Sequence, residues 1–138
     1  MTYVSEAVDL FNGKYLCSQA VFATFAEQLG LEKETALKIG ACFGSGMRKG
    51  EVCGACSGAL MALGLKFGDH KPKADAVCDR FLDEFKKENG SYICNDLLNC
   101  DISTKEGREY AVENNLFKEV CPKMLESAAK IAEKIIFE

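Results

Sequence analysis

Residues 18–29, SQAVFATFAEQL, are apolar almost all the way round a helical wheel, and Gly30 closes the run. A helix without a polar face has to be surrounded, so the rest of the chain must supply the elements that cover it. The flanking segments suit that task. Residues 3–11 carry Val4, Ala7, Val8 and Phe11 at helical spacing, and LEKETALKIGACF (31–43) predicts a shorter helix before the glycines begin at Gly44. CGACSGALMALGLKFG (53–68) continues as a helix of small residues. The segment opening at Pro72 sets Ala74, Val77, Cys78, Phe81, Leu82 and Phe85 on one face and stops at Gly90. After a short CNDLL turn, STKEGREYAVENN starts with Ser103 or Thr104 ahead of Glu106, a capping-box pattern. In the last segment Phe117, Cys121, Met124, Ala128, Ile131 and Ile135 form an amphipathic stripe. No run alternates strictly between hairpin turns, so no strand is expected. These patterns predict an all-α, single-domain helical bundle over residues 1–138, with the glycine-rich stretch as an internal loop.

A chain of 138 residues can bury a core without disulfide staples. It nevertheless carries eight cysteines: Cys17, Cys42, Cys53, Cys56, Cys78, Cys94, Cys100 and Cys121. The N-terminus has no basic segment followed by an apolar one, and no apolar run reaches membrane-spanning length, so a cytoplasmic protein that does not span a membrane is expected. In that compartment thiols serve metal ligation or redox chemistry better than a disulfide framework. The net charge of −4 provides no basic field for nucleic acid.

The stretch GSGMRKGEVCGACSGALMALG (44–64) tests these alternatives. Gly44, Gly46 and Gly50 are spaced one residue too widely for a dinucleotide fingerprint, and no strand precedes them. Lys49 is followed by Gly50 and Glu51, where a phosphate loop needs Ser or Thr directly after its lysine. Gly54, Ala55, Gly58, Ala59 and Ala62 read differently: glycine costs a helix about 1 kcal/mol relative to alanine, so two within a turn signal a steric requirement. Either a neighbouring helix packs at backbone distance, or space is kept beside Cys53 for an inorganic group. The Cys53-Gly-Ala-Cys56 motif lacks both the βαβ context of a thioredoxin site and the second close pair of a zinc knuckle.

Position along the chain is more informative than spacing. Cys17 precedes the buried segment, Cys53 opens the small-residue helix, Cys94 opens CNDLL, and Cys121 precedes Pro122 as an N-cap or at a proline kink. Helix N-termini favour thiolate over thiol, and four such ends can meet in a bundle. The competing reading is four small buried hydrophobes. Cys78 belongs to an apolar face and to the core. Cys56, one helical turn from Cys53, is placed to replace it as a ligand or to resolve it in a disulfide. Arg48 and Lys49 either counter a negative cluster or are solvated. His70 lies in a polar turn, and a single histidine leaves Cys/His catalysis without support. Met47, Met61 and Met124 are expected to pack.

At these residues the chain resembles the redox-active protein family named for its C…CGAxxG…C…C pattern. The pattern runs from Cys17-Ser-Gln-Ala through Gly44-Ser-Gly-Met and Cys53-Gly-Ala-Cys-Ser-Gly58 to Cys94-Asn-Asp-Leu-Leu and Cys121, within residues 3 to 135. The resemblance implies a helical bundle with a four-cysteine site made by Cys17, Cys53, Cys94 and Cys121. The chain is also similar to the helical part of split-Soret cytochromes, where an iron–sulfur centre is implied; without a C-x-x-C-H motif, haem attachment does not carry over. Cys42, Cys56, Cys78 and Cys100 lie outside the four-cysteine pattern. The expectation is an iron–sulfur protein for electron transfer or redox sensing, working with a redox partner protein rather than transforming a substrate. Two alternatives stand: a metal-free thiol–disulfide oxidoreductase using Cys53 and Cys56, and a zinc-stabilised binding module. The small-residue face and the apolar helix would also suit a homodimer.

Overall fold

The computed structural model describes residues 2–138. Its eight helices are α1 (Tyr3–Asn12), α2 (Cys17–Ala26), α3 (Lys33–Ile39), α4 (Gly54–Phe67), α5 (Lys71–Asn89), α6 (Cys94–Leu98), α7 (Lys105–Glu113) and α8 (Leu116–Phe137). The expected all-α class holds. Among the described residues the only extended pairing is an isolated antiparallel bridge between Val52 and Ile93.

Helix α2 is the axis of the fold, with nine of its ten residues buried. α4, α3 and α1 pack directly against it, and α8 packs across α1 and α4. Tyr3 joins these elements, its ring stacking at 5.0 Å on Phe25 and at 5.2 Å on Phe137. The contact between α2 and α4 is made by backbone. A Cβ at Gly58 would collide with the Ser18 carbonyl and come within 3.2 Å of the Phe22 amide. Helix α5 adds Val77, Phe81 and Phe85, its expected apolar face, to the same core. Burying a phenylalanine fully contributes about 1.5–3 kcal/mol, so the few aromatics in this alanine-rich core carry much of its stability. A second, smaller cluster of Cys94, Leu98, Ile102 and Ala111 gathers α6, α7 and the start of α8.

Several local expectations change. The buried segment ends as an α-helix at Ala26, continues as a 3₁₀ turn over Glu27–Leu29 and stops at Gly30, whose φ of +87° is left-handed. CNDLL is a short helix, not a turn. Thr104 caps α7 by accepting from the Gly107 amide at 3.0 Å, which places Glu106 at the second helical position. From there it cannot close a capping box, which needs the third. Both features that suited a homodimer are used inside the chain: Gly54, Ala55, Gly58, Ala59 and Ala62 are buried, as is nearly all of α2.

The largest departure is the glycine loop. Ser45, Gly46, Met47 and Arg48 all have positive φ, between 55° and 65°, so the backbone makes a left-handed turn. Each non-glycine residue there costs about 1–2 kcal/mol. Two contacts hold the turn in place. The Glu51 amide donates to the Gly46 carbonyl at 3.1 Å, and the Asn95 side chain fills the space that a Cβ on Gly50 would take. Met47, expected to pack, is exposed at the tip.

Candidate functional site

Each pattern cysteine is placed by the residues beside it. Cys17 is the first residue of α2, and its neighbours tie that end down. The Ser18 hydroxyl donates to the Gly40 carbonyl at 2.7 Å; Gln19 accepts from the Leu16 amide at 2.9 Å and donates to the Leu37 carbonyl at 2.8 Å. Cys53 is the N-cap of α4 and Cys94 the first residue of α6. The bridge that sequence reading did not anticipate joins these two starts. The Cys53 amide donates to the Tyr92 carbonyl at 2.8 Å and the Cys94 amide to the Glu51 carbonyl at 2.6 Å. Three of the four thus stand at helix starts, as expected. Cys121 does not: α8 begins at Leu116, so Cys121 is inside the helix, followed by Pro122. Pro122 stands in the helix interior, where its missing donor leaves the Lys118 carbonyl without a helical partner and its ring crowds that carbonyl.

The four sulfur-bearing residues meet. Cys17, Cys53, Cys94 and Cys121 line one cavity of about 180 Å³, together with Gly54, Ser45 and an apolar wall that includes Tyr15, Phe117 and Met124. Gly54 answers the question raised by the small-residue face: a Cβ there would overlap Cys17 Sγ and stand 3.1 Å from the Phe43 carbonyl. The two glycines therefore serve different ends, Gly58 admitting α2 and Gly54 leaving room for a thiol. Among the described residues, no three His, Cys, Asp or Glu side chains close round a point tightly enough to hold a single ion.

Burial dominates the acid–base chemistry of the set. It raises the Cys17 thiol to about 11, reinforced by the charge of Cys53 and opposed by the amides of Ser45, Ser18 and Cys17 itself. It raises Cys94 to about 12, with Cys53 and Cys17 acting in the same sense and Arg108 against them. Cys121 is raised for the same leading reason, and neighbouring thiols add to it. Cys53 is the exception, held below the usual thiol range. A hydrogen bond from the Cys56 thiol leads, and the Ala55 and Cys56 amides at the start of α4 contribute, together outweighing burial. One thiolate is therefore favoured in a pocket that resists four. Assembling all four as anions requires compensating positive charge in the cavity.

The remaining cysteines separate clearly. Cys56 is completely buried, one turn into α4 behind Cys53. Cys42 is exposed, Cys78 is half-buried on α5, and the Cys100 thiol donates to the Gly107 carbonyl at 3.2 Å. None of these three lines the four-cysteine cavity. His70 accepts from the Lys73 amide at 3.2 Å as the cap of α5, a structural role. Sequence reading missed Ser45 and Arg108. Ser45 enters through left-handed backbone, which a Ser-Gly-Met-Arg string does not announce; Arg108 enters from α7, remote in sequence from every glycine.

Helical packing around a pocket lined by four cysteines from separate segments defines an all-α, cysteine-rich class of protein. Residues 15–135 match the family model described as "Putative redox-active protein (C_GCAxxG_C_C)", and the chain belongs to that family. The match begins at Tyr15, so α1 lies outside it. Comparison with curated proteins and with solved structures returned no match. No described helix is long and apolar enough to cross a membrane.

Proposed function

We propose that Cys17, Cys53, Cys94 and Cys121 hold an iron–sulfur cluster and that the protein carries single electrons or senses redox state with it. The observation that carries this reading is the common cavity into which four separate segments deliver one cysteine each. The donor set fits: thiolates are soft, charged ligands suited to iron, and the lining is otherwise mostly apolar. Gly54 gives the Cys17 thiol its place on the cavity wall, since any side chain there would overlap Cys17 Sγ. When bound, the cluster supplies reversible one-electron chemistry. The chain's own contribution is to hold the four sulfurs, exclude water with Tyr15, Phe117 and Met124, and direct the amides of Ser45 and Ala55 toward the sulfurs. Those amides favour the reduced, more negative state and so raise the potential.

Anaerobically purified protein is expected to contain iron and acid-labile sulfide and to absorb in the visible. Cys→Ser at positions 17, 53, 94 or 121 removes that colour, whereas Cys78→Ser retains it. Protein purified without oxygen that holds neither iron nor sulfide sinks the proposal.

A second reading rests on the placement of Cys56, completely buried one helical turn behind Cys53. As a dithiol, this pair passes two electrons and two protons to a partner's disulfide: a bond forms between Cys53 Sγ and Cys56 Sγ while the partner's S–S bond opens to two thiols. Metal-free protein would then lose two hydrogens by mass on oxidation, and Cys56→Ser would abolish the change.

A further inference from the structure

The chain has only three arginines, and they are treated differently. Arg80 is saturated by carboxylates, with Glu84 at 3.3 Å and Glu138 at 2.6 Å. Arg48 and Arg108 form no ion pair among the described residues, although the chain carries 21 acidic side chains. Both line a second cavity of about 180 Å³, whose other walls include Leu16, Cys42, Gly44 and Ser45 and no carboxylate. Leu16 and Ser45 also line the four-cysteine cavity, so the two spaces share a wall.

Two guanidiniums lining one space without a carboxylate offer their planar donor forks to an oxyanion. Arg108 is half-buried on α7, with Nη1 donating to the Ile102 carbonyl at 3.5 Å, a long bond that leaves most of its donors free. Arg48 is presented by the left-handed turn, at an energetic cost of about 1–2 kcal/mol for each non-glycine residue in it. Backbone held in so unfavourable a region is commonly tied to function. We infer that Arg48 and Arg108 form a binding site for a small oxyanion, a phosphate, sulfate or carboxylate group, on the wall of the cysteine cavity. The arginine side chains hold the anion; the glycine amides do not form a nucleotide cradle. The site places an anionic ligand against Leu16 and Ser45, the wall shared with the four-cysteine cavity, and does not depend on what the thiols bind.

The test uses the full chain, titrated separately with inorganic phosphate and with succinate while the arginine Nε–H resonances are followed by NMR. Saturable shifts of Arg48 and Arg108, with Arg80 unmoved, are expected below about 20 mM of at least one probe. Response to phosphate alone marks a tetrahedral ligand and response to succinate alone a carboxylate. The double variant R48Q/R108Q should weaken binding about tenfold or more while keeping the wild-type far-UV spectrum. R48Q alone changes one exposed side chain and should weaken it in the same direction, which serves if the double variant does not fold. The absence of saturable shifts with either probe, or undiminished binding in the variants, overturns the inference. Iron and sulfide content, measured on the cysteine variants, tests the cluster separately.

Discussion

The cysteine cavity lies between two unequal bodies. On one side α2 and α4, backed by α1, α5 and α8, bury Phe25, Phe81, Phe85 and a dozen small residues in one core. On the other, α6 and α7 rest on only Leu98, Ile102 and Ala111, with Cys94 itself as a member of the cluster. Cys17 and Cys53 belong to the first body and Cys94 to the second, while Cys121 comes from the helix that serves both. Regions with fewer buried apolar contacts open at lower free energy than the global transition. One wall of the site is thus backed by many more buried apolar residues than the other.

The strongest way to break this comparison is to weaken each body in turn. Phe81→Ala is expected to cost about 3–5 kcal/mol in global stability by urea unfolding. Ile102→Ala should act locally, accelerating hydrogen exchange of α6 and α7 amides while α2 amides keep their protection. Equal acceleration in α2 would show that the two bodies are one cooperative unit. Gly58→Ala tests the better-backed wall, because its Cβ meets the Ser18 backbone rather than a movable side chain. A loss of about 2 kcal/mol is expected by the same measurement, and a neutral result would show that α2 and α4 can separate freely.

Met47→Gly reverses the sign. Replacing an exposed residue at φ +56° relieves left-handed strain, and a gain of about 1 kcal/mol is expected at the tip of the loop. The smallest effect is electrostatic and far from the site. Burial raises the Glu84 carboxyl, but hydrogen bonds from Lys134 and Arg80 outweigh it and hold the group below its ordinary value. Its stabilisation is therefore full above the unfolded value of about 4.3 and is lost as pH falls through the folded one. Glu84→Gln should flatten the acid limb of the stability profile by less than about 1 kcal/mol, since Lys134 is well exposed to solvent.

Legibility followed the range of the forces involved. The starts of α2 and α4, and with them Cys17 and Cys53, were readable because apolar periodicity and small-residue spacing act within a few residues, whereas the five-residue α6 is too short to show a period and reads as a turn. Cys121 was read as an N-cap or as the neighbour of a proline kink, because proline favours the first helical position; the structure rules out the first by placing Pro122 inside α8. The Val52–Ile93 bridge is too short to leave a period, and it sets Cys53 beside Cys94 through backbone groups that every residue possesses.

Sequence alone therefore determined the helical class and the central place of the apolar segment that follows Cys17, because side-chain polarity and chain-local sterics encode both. Only the tertiary structure decided that the four pattern cysteines share a cavity, that the glycine loop winds left-handed, and that Arg48 and Arg108 face a common space. Those outcomes depend on contacts between residues tens of positions apart, where the balance of packing and backbone strain is settled by the whole fold.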